Sequence, residues 1–212
     1  MALSKIFFNQ DIFFALLLVS FFLIALLKGL YWKHAKLLFM GVFAQRYANQ
    51  FLREENAFTE RVNAITFFLM SINFTLIVSK ITESVELRTV GLIFIYVIVF
   101  FFFKIGLIKL LGFILKTKDL SKLAVFFSML FDRTLGFILF PLVVLLYFFS
   151  FEVSTIVLVI SFVLFLILIL MKLFWLWKIG TNSFGLPQFY IFLYLCTLEI
   201  FPLLILGKGV FY

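Results

Sequence analysis

The segment FYIFLYLCTLEIFPLLILG, residues 189–207, carries one charged side chain, Glu199, near its middle. An α-helix needs about 20 apolar residues to cross the hydrocarbon core of a bilayer. The segment is therefore predicted to be a membrane-spanning helix. Pro202 follows Glu199 by three residues. Because proline has no backbone N–H, it leaves the Leu198 carbonyl without its usual donor and is expected to kink the helix.

The rest of the chain has the same apolar character. Of its 212 residues, 66% are hydrophobic and 13% are charged. A soluble domain has about half apolar and about a quarter charged residues. The excess cannot be buried in one aqueous core. We therefore predict an all-α, polytopic transmembrane helix bundle with about six spans, formed by a single transmembrane domain, residues 1–212, with no room for a second, soluble domain.

Apolar runs and their charged or turn-forming flanks give approximate limits for the spans. These limits are 12–31, 64–80, 89–110, 133–151, 155–176 and 188–207. After the first span, over about 33–53, apolar side chains recur at helical spacing opposite a polar face. This pattern predicts an interfacial amphipathic helix in the inner headgroup layer. An arm that binds a soluble partner is the alternative.

The basic residues predict an orientation. If the loops after spans one, three and five are cytoplasmic, that side receives 14 of the 18 Lys and Arg residues and the outer side receives 4. This bias follows the positive-inside rule. We therefore expect a multi-pass protein of the cytoplasmic (inner) membrane with both termini outside and anionic lipids at its cytoplasmic side. Nucleic acid is not an expected partner, because the basic residues form no compact patch.

Glu199 is the main candidate for an intramembrane polar site. At 1.5 Å per residue from Pro187, it should lie roughly 17 Å into the helix, close to the bilayer midplane. Desolvation there favours the neutral acid. Cys196 shares its helix face, and Asn73 in the second span is the expected hydrogen-bond partner. A proton or cation site and a protonated acid that serves packing are equally compatible with this pattern.

A second group of charges is expected near the inner surface. It comprises Asp132, Arg133 and Lys104. Asp132 and Arg133 are adjacent and so point to different helix faces, which favours a solvated boundary role over catalysis. Lys104 should extend its amine toward the headgroups. With one His and one Cys, the chain offers no paired-histidine or multi-cysteine metal site, and no cofactor motif is present.

The segment YLCTLEI, followed by Pro202, resembles an uncharacterised integral-membrane family of the Bacteroidota that is catalogued as a domain of unknown function. The amphipathic segment and the entry to the second span, Arg61 to Asn63, are also similar. The resemblance implies a bacterial cytoplasmic-membrane location and draws attention to Glu199 and Pro202. It implies no activity, substrate or cofactor.

Three functions remain open on the sequence. The first is a non-catalytic accessory or assembly subunit of an envelope complex, with a membrane-protein partner or a second copy of itself. The second is a small proton-coupled transporter that uses Glu199. The third is a lipid-modifying membrane enzyme, which would need Asp132, Arg133 and His34 in one pocket. The absence of enzyme motifs favours a protein that is not an enzyme.

Overall fold

The computed structural model describes residues 2–54, 57–82, 86–114, 118–148 and 151–184. These residues fold into helices, which confirms the all-α class. The helices of the described ranges are α1 (Ala2–Leu30), α2 (Trp32–Gly41), α3 (Gln45–Arg53), α4 (Ala57–Ile81), α5 (Leu87–Ile114), α6 (Lys118–Phe148) and α7 (Phe151–Phe184). The predicted sixth span, with Glu199, Cys196 and Pro202, lies outside the described residues.

Five helices of the described ranges are long and apolar enough to cross a membrane. Their candidate spans are Asp11–Leu30, Ala57–Ile81, Leu87–Leu110, Ser121–Phe148 and Ile156–Lys178. A helix satisfies its backbone hydrogen bonds internally, which is the condition for crossing hydrocarbon. The chain is therefore a multi-pass membrane protein.

Helix α6 lies at the centre of the bundle and packs against α4, α5 and α7. About half of the apolar window of α4 and of α6 is buried, against 17–28% for α1, α5 and α7. Helices α4 and α6 approach each other closely at Gly136, where an added Cβ would lie 2.5 Å from the Cα of Met70. Only glycine allows the two backbones this contact, so α4 and α6 form a tightly packed inner pair.

The segment expected to form one amphipathic helix, residues 33–53, forms two. The helix stops at Gly41, and α3 begins at Gln45 after a short turn. Helices α2 and α3 then pack against each other, with Gly41 in contact with Ala48. Their apolar residues join the core of the bundle, where Phe39 contacts Phe137 of α6. Part of the apolar face, including Ala48 and Phe51, is therefore buried against protein, whereas Met40 and Phe43 are exposed. The predicted place of this segment in the headgroup layer stays a prediction.

Candidate functional site

Asp132 of α6 lies between two lysines from neighbouring helices. Nζ of Lys104 on α5 donates to Oδ2 of Asp132 at 2.9 Å. Nζ of Lys172 on α7 donates to Oδ1 at 2.9 Å. The lysine side chains are 6% and 2% exposed, and the Asp132 side chain is 15% exposed. One carboxylate thus connects three membrane-spanning helices, and we call these three residues the charge cluster.

The two lysines of the charge cluster occupy equivalent depths. Lys104 lies six residues before Leu110, the end of the candidate span in α5, and Lys172 lies six residues before Lys178, the end of the span in α7. At 1.5 Å per residue, each is about 9 Å inside its span. Both cations therefore lie at the same depth within their candidate spans.

The electrostatic role of Asp132 follows from this position. A charged side chain at the centre of a membrane helix costs about 2.5–3.5 kcal/mol even on the scale that gives the lowest values. Charged hydrogen bonds to both carboxylate oxygens offset this cost for acid and bases together. Removal of one partner from such a buried pair is strongly unfavourable, because the other charge stays buried. The charge cluster therefore holds α5, α6 and α7 in a fixed register.

Arg133 belongs to a different contact, on the side of α6 that faces α4. Its Nη1 atom donates to Oδ1 of Asn63. Its Nε atom is buried and makes no hydrogen bond to the described residues. Asp132 and Arg133 therefore point to different neighbours, α5 and α7 for the acid and α4 for the guanidinium group.

Asn73 supplies a third polar contact, deeper in the bundle. Its Nδ2 atom donates to the carbonyl oxygen of Gly136 at 2.7 Å, and its Oδ1 atom accepts a weaker bond from Ser20 Oγ at 3.4 Å. Asn73 is fully buried. This contact connects α1, α4 and α6. The expected partner, Glu199, lies outside the described residues, so that pairing stays a prediction.

Comparison with known protein families assigns the chain to a family. The family model described as Domain of unknown function (DUF4271) matches residues 13–210. The chain belongs to this family. No curated protein and no solved structure matches it. Every residue of the charge cluster lies within the DUF4271 match.

Two contacts of the DUF4271 chain were not expected from its sequence. The amine of the buried Lys104 is bound by Asp132 within the bundle, and its expected place near the inner headgroups stays a prediction. Lys172 is not among the predicted site residues, yet it is the second cation of the charge cluster. Its position six residues inside an apolar helix end, equivalent to that of Lys104, is the signal that could have identified it.

His34 makes contacts of its own at the start of α2. Its Nε2 atom lies 3.7 Å from Oε2 of Glu54, and its ring stacks on Phe58 at 5.7 Å. Neither contact involves Asp132 or Arg133. The described residues therefore give the three members of the expected enzyme pocket separate sets of partners. Among the same residues, no group of three or more His, Cys, Asp and Glu is arranged to hold a metal ion.

Proposed function

We propose that this DUF4271 protein is a non-catalytic accessory or assembly subunit of an envelope complex in the cytoplasmic membrane of a member of the Bacteroidota. The observation that carries the proposal is that both oxygens of Asp132 are used in contacts between helices of the same chain. A carboxylate with both oxygens bound to lysines serves better as a lock between helices than as a base for substrate.

The other polar side chains at membrane depth support the same proposal. Asn73 donates to the carbonyl oxygen of Gly136, and the Tyr147 hydroxyl donates to the carbonyl oxygen of Leu76 at 2.8 Å. Such bonds are the usual means of joining helices in a membrane. A bundle fixed in this way would present a rigid surface to another membrane protein or to a second copy of itself.

The test is purification of the protein at its natural level of expression. A chromosomal affinity tag would be used, followed by extraction in a mild detergent and native electrophoresis with mass spectrometry. We expect one or more other envelope proteins to migrate with the chain at a constant ratio. The same ratio should persist after a second, unrelated detergent. Recovery of this chain alone, as a monomer or as an oligomer of itself, would count against an accessory role.

The bias of the basic residues supports an orientation with both termini outside and with anionic lipids at the cytoplasmic side. We propose this orientation for the DUF4271 chain. Fusion of alkaline phosphatase or of a fluorescent protein to the C-terminus separates the two sides, because the first is active only outside the cytoplasm and the second fluoresces mainly inside. If the fluorescent-protein fusion fluoresced and the phosphatase fusion were inactive, the C-terminus would lie in the cytoplasm and the proposed orientation would be wrong.

A proton-coupled transporter is the second candidate, and the charge cluster is the observation that favours it. Acids and bases inside a membrane bundle are typical of proton relays. In this proposal Glu199 is the acid that exchanges protons, with Asn73 beside it and with Cys196 and Pro202 on the same helix. Glu199→Gln should then abolish proton flux into proteoliposomes at an unchanged amount of folded protein. A variant that lowers only the amount of folded protein would favour the packing role.

The lipid-modifying enzyme is supported least. It needs His34, Asp132 and Arg133 around one substrate, and each of these residues has other contacts. The test is incubation of the purified protein with labelled phospholipids of the inner leaflet. A modified lipid whose formation Asp132→Asn prevents would support this candidate.

A further inference from the structure

Helices α2 and α3 form a hairpin that lies along α6. Near the turn of the hairpin, the rings of Phe39 and Phe137 are 4.4 Å apart. Near its open end, the rings of Phe51 and Phe126 are 6.0 Å apart. Phe126 and Phe137 are eleven residues apart on α6, which corresponds to about 16 Å. The turn of the hairpin therefore points along α6 toward the later part of that span.

The depth of the turn can be estimated from its neighbours. Phe137 directly follows Gly136, whose carbonyl oxygen binds Asn73. Asn73 also contacts Ser20, and Ser20 lies at the middle of the candidate span Asp11–Leu30. Phe137 is thus near the middle of the bundle, and Phe39 is within one side-chain length of it. The turn of the hairpin therefore reaches the level of the middle of the first candidate span.

The open end of the hairpin, where α2 begins and α3 ends, lies near the beginning of α4, far from the level of the turn. Nη1 of Arg61 donates to the Tyr31 hydroxyl at 3.3 Å, and His34 lies beside Glu54. Tyr31 directly follows α1, and Glu54 directly follows α3. The chain therefore enters the membrane through α2 and returns through α3 on the same side.

One face of α3 is polar and exposed. It carries Arg46, Asn49, Gln50 and Arg53, while Ala48 and Phe51 face the bundle. Glu54, which directly follows α3, accepts a hydrogen bond from Gln50 at 3.0 Å. Arg46 donates to the Tyr47 hydroxyl at 2.7 Å and stacks over that ring. The exposed face is therefore basic, and within the part of the chain that the structure describes its guanidinium groups form no ion pair with an acid of another helix.

Lipid tails cannot solvate this face. A guanidinium group in hydrocarbon costs several kcal/mol, and a backbone turn at membrane depth is found where protein or water surrounds it. The turn between α2 and α3 exposes Phe43 and stands beside Arg46. We infer that α2 and α3 form a re-entrant hairpin whose exposed α3 face lines a water-filled recess. The recess opens at the level of Glu54, and its arginines make it selective for small anions.

Cysteine accessibility tests the recess. In a Cys196→Ser background, Asn49→Cys places a thiol on the exposed face of α3, between the two arginines. Ala25→Cys is the matched control, because Ala25 is exposed on α1 and lies five residues, about 7.5 Å, beyond the mid-span Ser20. Charged, membrane-impermeant methanethiosulfonates would be applied to inverted and to right-side-out vesicles. A membrane-permeant maleimide would verify that both thiols are present.

We expect the charged reagents to label Asn49→Cys at least tenfold faster than Ala25→Cys, and only from the side of Glu54, which the basic bias assigns to the cytoplasm. After correction for their reactivity with a free thiol, the anionic reagent should react about fivefold faster than the cationic one. Arg46→Gln and Arg53→Gln, added to Asn49→Cys, should remove this preference. Each variant would first be required to elute as a single species in detergent.

Three results would overturn the inference. Equal, slow labelling of both positions would mean that lipid or a partner covers the α3 face. Labelling of Asn49→Cys from the opposite side would reverse the side on which the recess opens. Equal rates for the anionic and the cationic reagent would show that the recess does not select anions. None of these outcomes depends on whether the protein is an accessory subunit or a transporter.

Discussion

Asp132→Asn is expected to destabilise the protein more than the replacement of any other single charged residue, among those described, by a neutral one. The asparagine keeps the shape of the side chain and removes the negative charge that both lysines contact at 2.9 Å. Loss of one partner from a buried ion pair costs about 3–5 kcal/mol. Because two buried ammonium groups lose their contact with the same carboxylate, we expect a loss within this range. The folded-to-unfolded ratio should fall roughly 10³-fold.

The assay is equilibrium unfolding in mixed micelles, in which sodium dodecyl sulfate is titrated against a mild detergent. Trp175 stacks on Phe127 at 6.2 Å, so tryptophan fluorescence reports the packing of α7 against α6. Asp11→Asn is the matched control, since Asp11 is an exposed acid at the start of the first candidate span. It should change the free energy of unfolding by less than about 0.5 kcal/mol.

A double replacement distinguishes a specific interaction between Lys104 and Asp132 from a general loss of packing. Lys104→Met alone should destabilise, because it leaves Asp132 with one cation fewer. In the Asp132→Asn background the same change removes a buried cation, so it should restore part of the lost stability, with a coupling of about 1–3 kcal/mol. Additive effects, or an Asp132→Asn variant as stable as Asp11→Asn, would refute the idea that the charge cluster holds the helices together.

Three further replacements address the packing of α6, and each is measured by the same titration. Gly136→Ala places a Cβ 2.5 Å from the Cα of Met70 and should cost about 1–3 kcal/mol, whereas Gly91→Ala, with no atom within 4 Å, should be neutral or stabilising by up to about 1 kcal/mol. Asn73→Ala removes the bonds to Gly136 and Ser20 and should cost about 1–2 kcal/mol. Tyr147→Phe removes the hydroxyl that donates to the Leu76 carbonyl oxygen and should cost about 0.5–1.5 kcal/mol. Equal effects of Gly136→Ala and Gly91→Ala would contradict the close helix contact.

The fold class could be read from the sequence because it depends on composition and length. Runs of about 20 apolar residues have one stable form in lipid, which is the helix, so their number sets the architecture. Asn73 was expected to bond to Glu199, and that pairing stays a prediction. The structure gives the Asn73 amide the carbonyl oxygen of Gly136 as a partner, which the sequence did not indicate.

The sequence showed the amphipathic pattern of residues 33–53 but did not show that these residues form two helices. Periodicity shows that one face is apolar, but it does not show what covers that face. Lipid headgroups and the bundle core both satisfy the same pattern. The contact of Gly41 with Ala48 and the ring contacts with α6 show which apolar residues the bundle covers, and these contacts depend on residues far apart in the chain.

The sequence by itself determined that the chain is a bundle of membrane helices with charged residues inside some of its spans. Only the tertiary structure decided that Lys104 and Lys172 share Asp132, and that a hairpin between the first two spans lies along α6. The physical reason is that burial in lipid is a property of each segment alone. The partner of a buried charge is a property of how the helices are arranged, and local sequence carries almost no record of that arrangement.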